Sequence, residues 1–328
     1  MSFALYRRPG TVIFLDDDPD YLEMLGEVMP SNWQVRFLLR PIACIQILTS
    51  EIAQTDLDMW LQQEIINNWR GGALLIPQIL QYWRDDGAAR FGLTKVCVVD
   101  YSMPAMSGLK VLSELENWLG LRVLLTGRAD EQLAVSAFNR GLIQQFVPKQ
   151  LPEIRRRLTE AIQGLLDKAD PRNEQIWRAT LSREQIELLG DDAIAETLRQ
   201  LASRQNWIEH VVIGSPFGVL ALTSAAQAEW LQLEPSNRLI ELAEMTESQG
   251  WSANAVQEVR LGSKLIDLEL QLALGAGQKA TLKPAVVMGC GSKQIYAAIF
   301  SIDGVFCPAQ KDSHQQFLLN SDGRNLQD

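Results

Sequence analysis

A chain of 328 residues that is 47% hydrophobic can bury substantial cores, and a prior of about 100–200 residues per domain predicts two globular units. The formal charge is −10, with 17 basic and 20 acidic residues up to Lys168 and 13 and 20 after it, so neither half carries the basic excess that attracts nucleic-acid phosphates. Cys44, Cys97, Cys290 and Cys307 show no C-x-x-C spacing and only His210 and His314 could join them, which argues against a zinc site or a disulfide framework; with no leader signature and no run near the roughly 18–20 apolar residues of a membrane span, a soluble cytoplasmic chain with no membrane partner is expected.

Short apolar runs at 11–15, 34–39, 95–99, 121–125 and 143–147 alternate with segments of helical spacing at 19–29, 107–118, 130–140 and 152–168. This alternation predicts a parallel sheet covered by helices on both faces. Between the second and third runs the chain spends about 55 residues where one helix and its loops need about half as many. A helical insertion over about 42–90 is therefore expected, broken by Gly71-Gly72 and read as an enlarged flank of the first domain. Asp170-Pro171 marks a boundary. Two polar amphipathic helices, 182–189 and 191–206, then fill a helical linker over 169–206, the first opened by Ser182 and Gln185 at capping-box spacing.

Beyond residue 206 the pattern becomes α+β. A strand is expected at 217–223, a helix at 234–250, and a hairpin over 256–274 in whose second arm Ile266, Leu268, Leu270, Leu272 and Leu274 alternate with mostly polar residues. AVVMGC and QIYAAIFSI add strands, which predicts an antiparallel sheet in a domain over 207–310, and the polar segment 311–328 reads as a flexible tail.

The chemistry concentrates at strand ends. TVIFL runs into Asp16, Asp17 and Asp18, and KVCVV ends on Asp100, so carboxylates gather at the C-terminal edge where open α/β sheets bind ligands. Carboxylates crowded there repel unless a hard cation neutralises them, and few carboxylates with retained water describe magnesium. Asp18, just before Pro19, reads instead as the cap of the following helix. VLLTG delivers Thr126 and FVPK delivers Lys149 to the same edge. A cation, a hydroxyl and an ammonium about one carboxylate suit phosphoryl transfer, which is mostly positioning and charge neutralisation, with Asp100 as nucleophile.

LDDDP, VVDYSMPAMSG, LLTG and FVPK, in that order, resemble the receiver domain of bacterial two-component response regulators, over about residues 10–168 apart from the insertion. The resemblance implies a flavodoxin-like (βα)5 domain over 1–168. It implies Asp100 as phosphoacceptor, Asp16, Asp17, Asp100 and the Ser102 backbone carbonyl as Mg2+ ligands, Thr126 and Lys149 as phosphoryl contacts, and Phe146 as the aromatic switch. It also implies a sensor histidine kinase or phosphotransfer protein as partner. The family usually follows this lysine with proline; here Pro148 precedes Lys149 and Gln150 follows.

The C-terminal half shows no phosphate-binding loop, and neither histidine sits beside a nucleophile elbow. Over 181–205 three arginines face five acidic residues, which speaks against a DNA-reading helix. The order of elements over about 205–308 resembles a PAS domain, with Trp207, Trp230 and Trp251 as core or interface anchors and no organic cofactor implied. The reading is a regulator phosphorylated on Asp100 that signals through a PAS-like domain for protein association, as a homodimer or with a downstream partner, or for ligand sensing. A receiver-controlled enzyme and a DNA-bound transcription factor are the alternatives.

Overall fold

The computed structural model describes residues 2–85, 87–127, 131–150, 152–275, 279–302, 304–320 and 326–327. In chain order the elements are β1 (Tyr6–Arg7), β2 (Thr11–Leu15), α1 (Pro19–Val28), β3 (Val35–Leu38), α2 (Pro41–Arg70), α3 (Leu75–Asp85), α4 (Gly87–Gly92), β4 (Thr94–Asp100), α5 (Gly108–Glu114), β5 (Leu121–Thr126), α6 (Glu131–Asn139), β6 (Gln145–Pro148) and α7 (Ile154–Leu166). There follow α8 (Pro171–Arg178), α9 (Arg183–Leu189), α10 (Asp192–Arg204), β7 (Trp207–Gly214), β8 (Phe217–Thr223), β9 (Ala228–Pro235), α11 (Leu239–Ser248), α12 (Ala253–Arg260), β10 (Lys264–Ile266), α13 (Leu268–Leu274), β11 (Leu282–Pro284), β12 (Val286–Met288), β13 (Ile295–Ser301), α14 (His314–Asn320) and β14 (Leu326–Gln327). Two compact units result: Pro9–Trp60 with Ala88–Lys168 and Gln315–Asp328, and Met1–Arg8 with Leu61–Gly87 and Ala169–His314.

The first of these holds a parallel sheet of order β14-β3-β2-β4-β5-β6. Its strands are apolar on both sides because both faces are buried. Val12, Phe14, Phe37, Val98 and Leu125 face a core closed by Leu22 and Leu25 of α1 and Leu158 and Ile162 of α7. Ile13, Leu15, Cys97, Val99 and Leu124 face a second core closed by Cys44 and Leu48 of α2, Val111 and Leu112 of α5, and Ala134 and Ala137 of α6. This is the flavodoxin-like arrangement expected. The tail departs from expectation: α14 forms at 314–320 and Leu326–Gln327 pair in parallel with Phe37–Leu38, adding a sixth strand. Residues 321–325 and 328 of the expected tail, and Asp130 of the expected helix 130–140, lie outside the described residues.

The other unit is built on an antiparallel sheet of order β1-β7-β8-β9-β13-β12, with a separate β10-β11 pair. The two-residue β1 comes from the N-terminal segment and pairs with β7. Ser182 and Gln185 form the capping box at the start of α9 as expected. WIEHVVIG is a strand outside the expected elements, and residues 234 and 235, where a helix is expected to open, close the strand AEWLQLEP; α11 begins at Leu239.

The hairpin expected over 256–274 is corrected to helix, strand, helix. Ser252 caps α12 through the Ala255 amide, and Ala255, Val256 and Val259 bury at helical spacing. In α13 the alternating leucines are not one sheet face: Leu268, Leu270 and Leu274 are buried while Leu272 is 70% exposed. Leucine favours helix over strand, and Gly275, at φ 65°, supplies the left-handed C-cap.

The insertion is likewise divided. α2 is one 30-residue helix, uninterrupted because 42–70 holds neither Gly nor Pro, but Leu61–Gly87 groups with the C-terminal half and not with the parallel sheet. Within that unit Gln62 is buried, and its Oε1 accepts from Asn173 Nδ2 at 2.8 Å and from Trp177 Nε1 at 2.9 Å. Gln62 Nε2 in turn donates to Tyr82 Oη at 3.4 Å.

Candidate functional site

Four strands of the parallel sheet end together. Asp16 and Asp17 follow β2, Asp100 closes β4, Thr126 closes β5 and Lys149 follows β6. The Pro-Lys-Gln order does not displace the lysine, because the Lys149 amide donates to the Thr126 carbonyl at 2.8 Å and continues the register of β5 and β6.

The chain turn after β2 is held by its own carboxylates. Asp16 Oδ1 accepts from the Asp18 amide at 3.1 Å, and Asp18 Oδ1 accepts from the amides of Asp20 and Tyr21, both at 3.1 Å. Asp18 is thus the N-cap of α1, with Pro19 at the first helical position. On the neighbouring strand Asp100 Oδ2 accepts from the Ser102 amide at 3.0 Å. Gly108 opens α5 against this strand end, and a Cβ added there would lie 2.2 Å from the Asp100 carbonyl oxygen.

Lys149 bridges two acids, its Nζ standing 2.7 Å from Asp16 Oδ2 and 2.8 Å from Asp100 Oδ1. Burial works against its charge, but the hydrogen bonds to Asp100 and Asp16 outweigh it and raise the lysine above its usual range. Asp16, only 1% exposed, is raised above the ordinary carboxylate value by burial and by the nearby Asp100, with Lys149 opposing.

Asp16, Asp17 and Asp100 each offer a carboxylate oxygen within 4.8 Å of the others'. Two are buried and Asp17 is exposed, so the group is open to water on one side. An all-oxygen donor set of this kind suits a hard divalent cation that retains water, and magnesium fits it. Thr126 is fully buried and its hydroxyl has no hydrogen-bond partner among the described residues. A buried donor left open beside Asp100 is what an incoming oxyanion would satisfy. Ser102 lies exposed in the loop after Asp100. Phe146, half-buried on β6, packs against the core that also holds Val99 and Met103.

Two features were not singled out from the sequence. Tyr21, in the first turn of α1, lays its ring under Lys149, with Nζ 4.6 Å from the ring centroid. Its only sequence signal is its place three residues after the capping Asp18. Elsewhere, Glu234 of β9 is 2% exposed, and burial with the nearby Glu269 lifts it to about 7 against the pull of Arg238.

His210 Nε2 stands 2.9 Å from the Ala4 carbonyl and its ring stacks on Phe3, while burial pushes His314 down to about 4. No helix among the described residues is long and apolar enough to cross a membrane.

The parallel-sheet unit has the flavodoxin-like fold of receiver domains, and a separate antiparallel-sheet unit accompanies it. No protein-family model matches the chain, and no curated protein matches it. Among solved structures, the response regulator LqsR of Legionella pneumophila is similar over 99% of this chain and 99% of its own, at 20% identity and a TM-score of 0.70. That TM-score, over nearly the whole of both chains, shows a shared fold. FixJ-N matches over 50% of this chain and 98% of its own at 18% identity and a TM-score of 0.34. A response regulator receiver domain protein from Clostridium thermocellum matches over 48% and 94% at 16% identity and 0.32. These two short matches add nothing to the assignment.

Proposed function

We propose that the chain is a cytoplasmic two-component response regulator in which Asp100 accepts a phosphoryl group from a histidine kinase or phosphotransfer protein. The observation that carries this reading is the meeting of three carboxylates, a partnerless buried hydroxyl and a bridging ammonium at one sheet edge. No single one of these residue types demands the chemistry; together they supply each group it needs.

In the proposed reaction a carboxylate oxygen of Asp100 attacks phosphorus, an O–P bond forms, and the donor's N–P bond breaks with its electron pair returning to the imidazole. Asp16, Asp17, Asp100 and the Ser102 carbonyl would hold Mg2+, which when bound offsets the charge gathering on the phosphoryl oxygens. Thr126 donates its free hydroxyl to one of those oxygens. Lys149 leaves its present bridge to pair with another. Phe146, packed on the same core, then reports the change by rotation or burial, which biases a two-state equilibrium of the receiver surface.

The antiparallel unit is proposed to serve as the output, a PAS-like module for association with a second copy or a downstream protein, or for ligand sensing. Its antiparallel sheet and short helices support that reading. The test is intact-mass spectrometry after incubation with acetyl phosphate and Mg2+. Gain of one phosphoryl group by the native chain and none by Asp100→Asn is expected; retained labelling of the variant would remove Asp100 from the role.

A further inference from the structure

The bridging lysine is held by more than its two carboxylates. An ammonium has three N–H donors. Lys149 directs hydrogen bonds at Asp16 and Asp100, and the Tyr21 ring covers the nitrogen from another side at 4.6 Å. The face of a phenol ring carries partial negative charge and attracts a cation within about 6 Å of its centroid. The ring cannot easily drift: the Tyr21 amide is bonded to Asp18, which is bonded to Asp16, so the first turn of α1 is tied to the acidic edge itself.

The hydroxyl end of Tyr21 does none of this. Its oxygen is buried and has no hydrogen-bond partner among the described residues. The ring face is the part of Tyr21 that meets Lys149.

Resting on the phosphoacceptor reading above, we propose that Tyr21 is a positioning residue: its ring face keeps the Lys149 ammonium aimed at the reacting edge when Asp16 and Asp100 are engaged with the incoming phosphoryl group. The carboxylates attract Lys149 strongly only while their charge is unspent. The ring's attraction does not depend on them, so the lysine stays at the edge through the transfer. The reaction itself is unchanged: Tyr21 makes and breaks no bond and moves no proton.

The test compares Tyr21→Phe and Tyr21→Leu in the full-length protein. Phosphorylation by acetyl phosphate is timed by intact mass, and the Lys149 ε-methylene protons are followed by NMR. Melting curves fix a temperature at which both variants are folded. Tyr21→Phe keeps the ring and should react within about twofold of the native rate, while Tyr21→Leu should be about three- to tenfold slower. The ε-protons should move downfield in Tyr21→Leu alone, as the ring's shielding is lost. In a Lys149→Met background the leucine substitution should slow the reaction no further, since a residue acting only through Lys149 has nothing left to position.

A Tyr21→Leu protein as fast as the native one, a Tyr21→Phe protein as slow as Tyr21→Leu, or undiminished slowing in the Lys149→Met background would each overturn the proposal. If the native chain takes up no phosphoryl group at all, it is the phosphoacceptor reading that fails. The ε-proton shift still decides whether the ring holds the lysine.

Discussion

Lys149→Met removes the one cation that bridges Asp16 and Asp100 while leaving an apolar stem of similar length over Tyr21. Asp16 has a side chain only 2% exposed and Asp100 one 7% exposed, so in Mg2+-free buffer both carboxylates would lose the cationic side chain that bridges them. Breaking a fully buried pair costs about 3–5 kcal/mol; the lysine here is 26% exposed, and solvent screening reduces the figure to about 2–3 kcal/mol. For a unit of about 150 residues that is a fall in melting temperature of about 4–12 °C. The pH dependence carries the stronger test. Asp16 has its folded pKa raised, so its protonated form is the one folding favours. As pH falls through that raised value the carboxylate neutralises, the native ion pair weakens, and the anion stranded in the variant disappears. The stability gap between native and variant should therefore be widest near neutrality and close toward acid. The lysine's own raised pKa places the other limit in alkali: the native chain keeps the bridge below the ordinary lysine value and loses it as pH rises through the raised one. Urea titrations at pH 7 and pH 5 measure the gap. A variant within about 0.5 kcal/mol of native at pH 7, or a gap that widens in acid, would show that Lys149 does not neutralise these carboxylates.

Two further outcomes follow from the geometry. Gly108→Ala would drive a methyl to 2.2 Å from the Asp100 carbonyl oxygen, which backbone must move to relieve; a loss of about 1–3 kcal/mol with slower phosphoryl uptake is expected, and a neutral effect on both, seen by thermal melting and mass kinetics, would mean that α5 is not seated on the strand end. Glu234 is raised from 4.5 to about 7 in the folded state, so its contribution to stability is full below pH 4.5 and is lost as pH rises through about 7, a span worth about 3 kcal/mol; Glu234→Gln should flatten the stability profile between pH 5 and 8, while Arg238 keeps Glu269 at 2.8 Å, and an unchanged slope in urea titrations would place the titration elsewhere.

The parts of this protein that were legible in its sequence are those whose cause is local. Strands buried on both faces show as short apolar runs, and the candidate site's edge shows because the residue closing each run is chemically out of character: Asp16, Asp100, Thr126 and Lys149 all follow this rule. The insertion was visible as surplus length, but its allegiance was not. Its contacts there include Gln62 meeting Asn173 and Trp177 more than a hundred residues away, and a lone glutamine in a long helix carries no mark of such a partner. The same limit hid β14, which needs the edge of β3 to exist at all, since two residues have no periodicity to read.

The leucine alternation over 266–274 failed for a different reason. A period of two is evidence for a strand only if every apolar residue must be buried, and α13 leaves Leu272 in solvent without penalty severe enough to prevent the helix. Tyr21 lies between these cases. Its position in the capped first turn was readable, and the turn's attachment to Asp16 follows from the Asp-Asp-Asp-Pro run. What the sequence could not contain is that the β6 end brings Lys149 over that ring across 128 positions. The parallel register decides it: Thr126 pairs with Pro148, the Lys149 amide donates to the Thr126 carbonyl, and a side chain of lysine's length from that point reaches Asp16, Asp100 and the ring together. A shorter residue at 149 would keep the register and lose all three contacts, so the length of this side chain, as much as its charge, sets the geometry of the site.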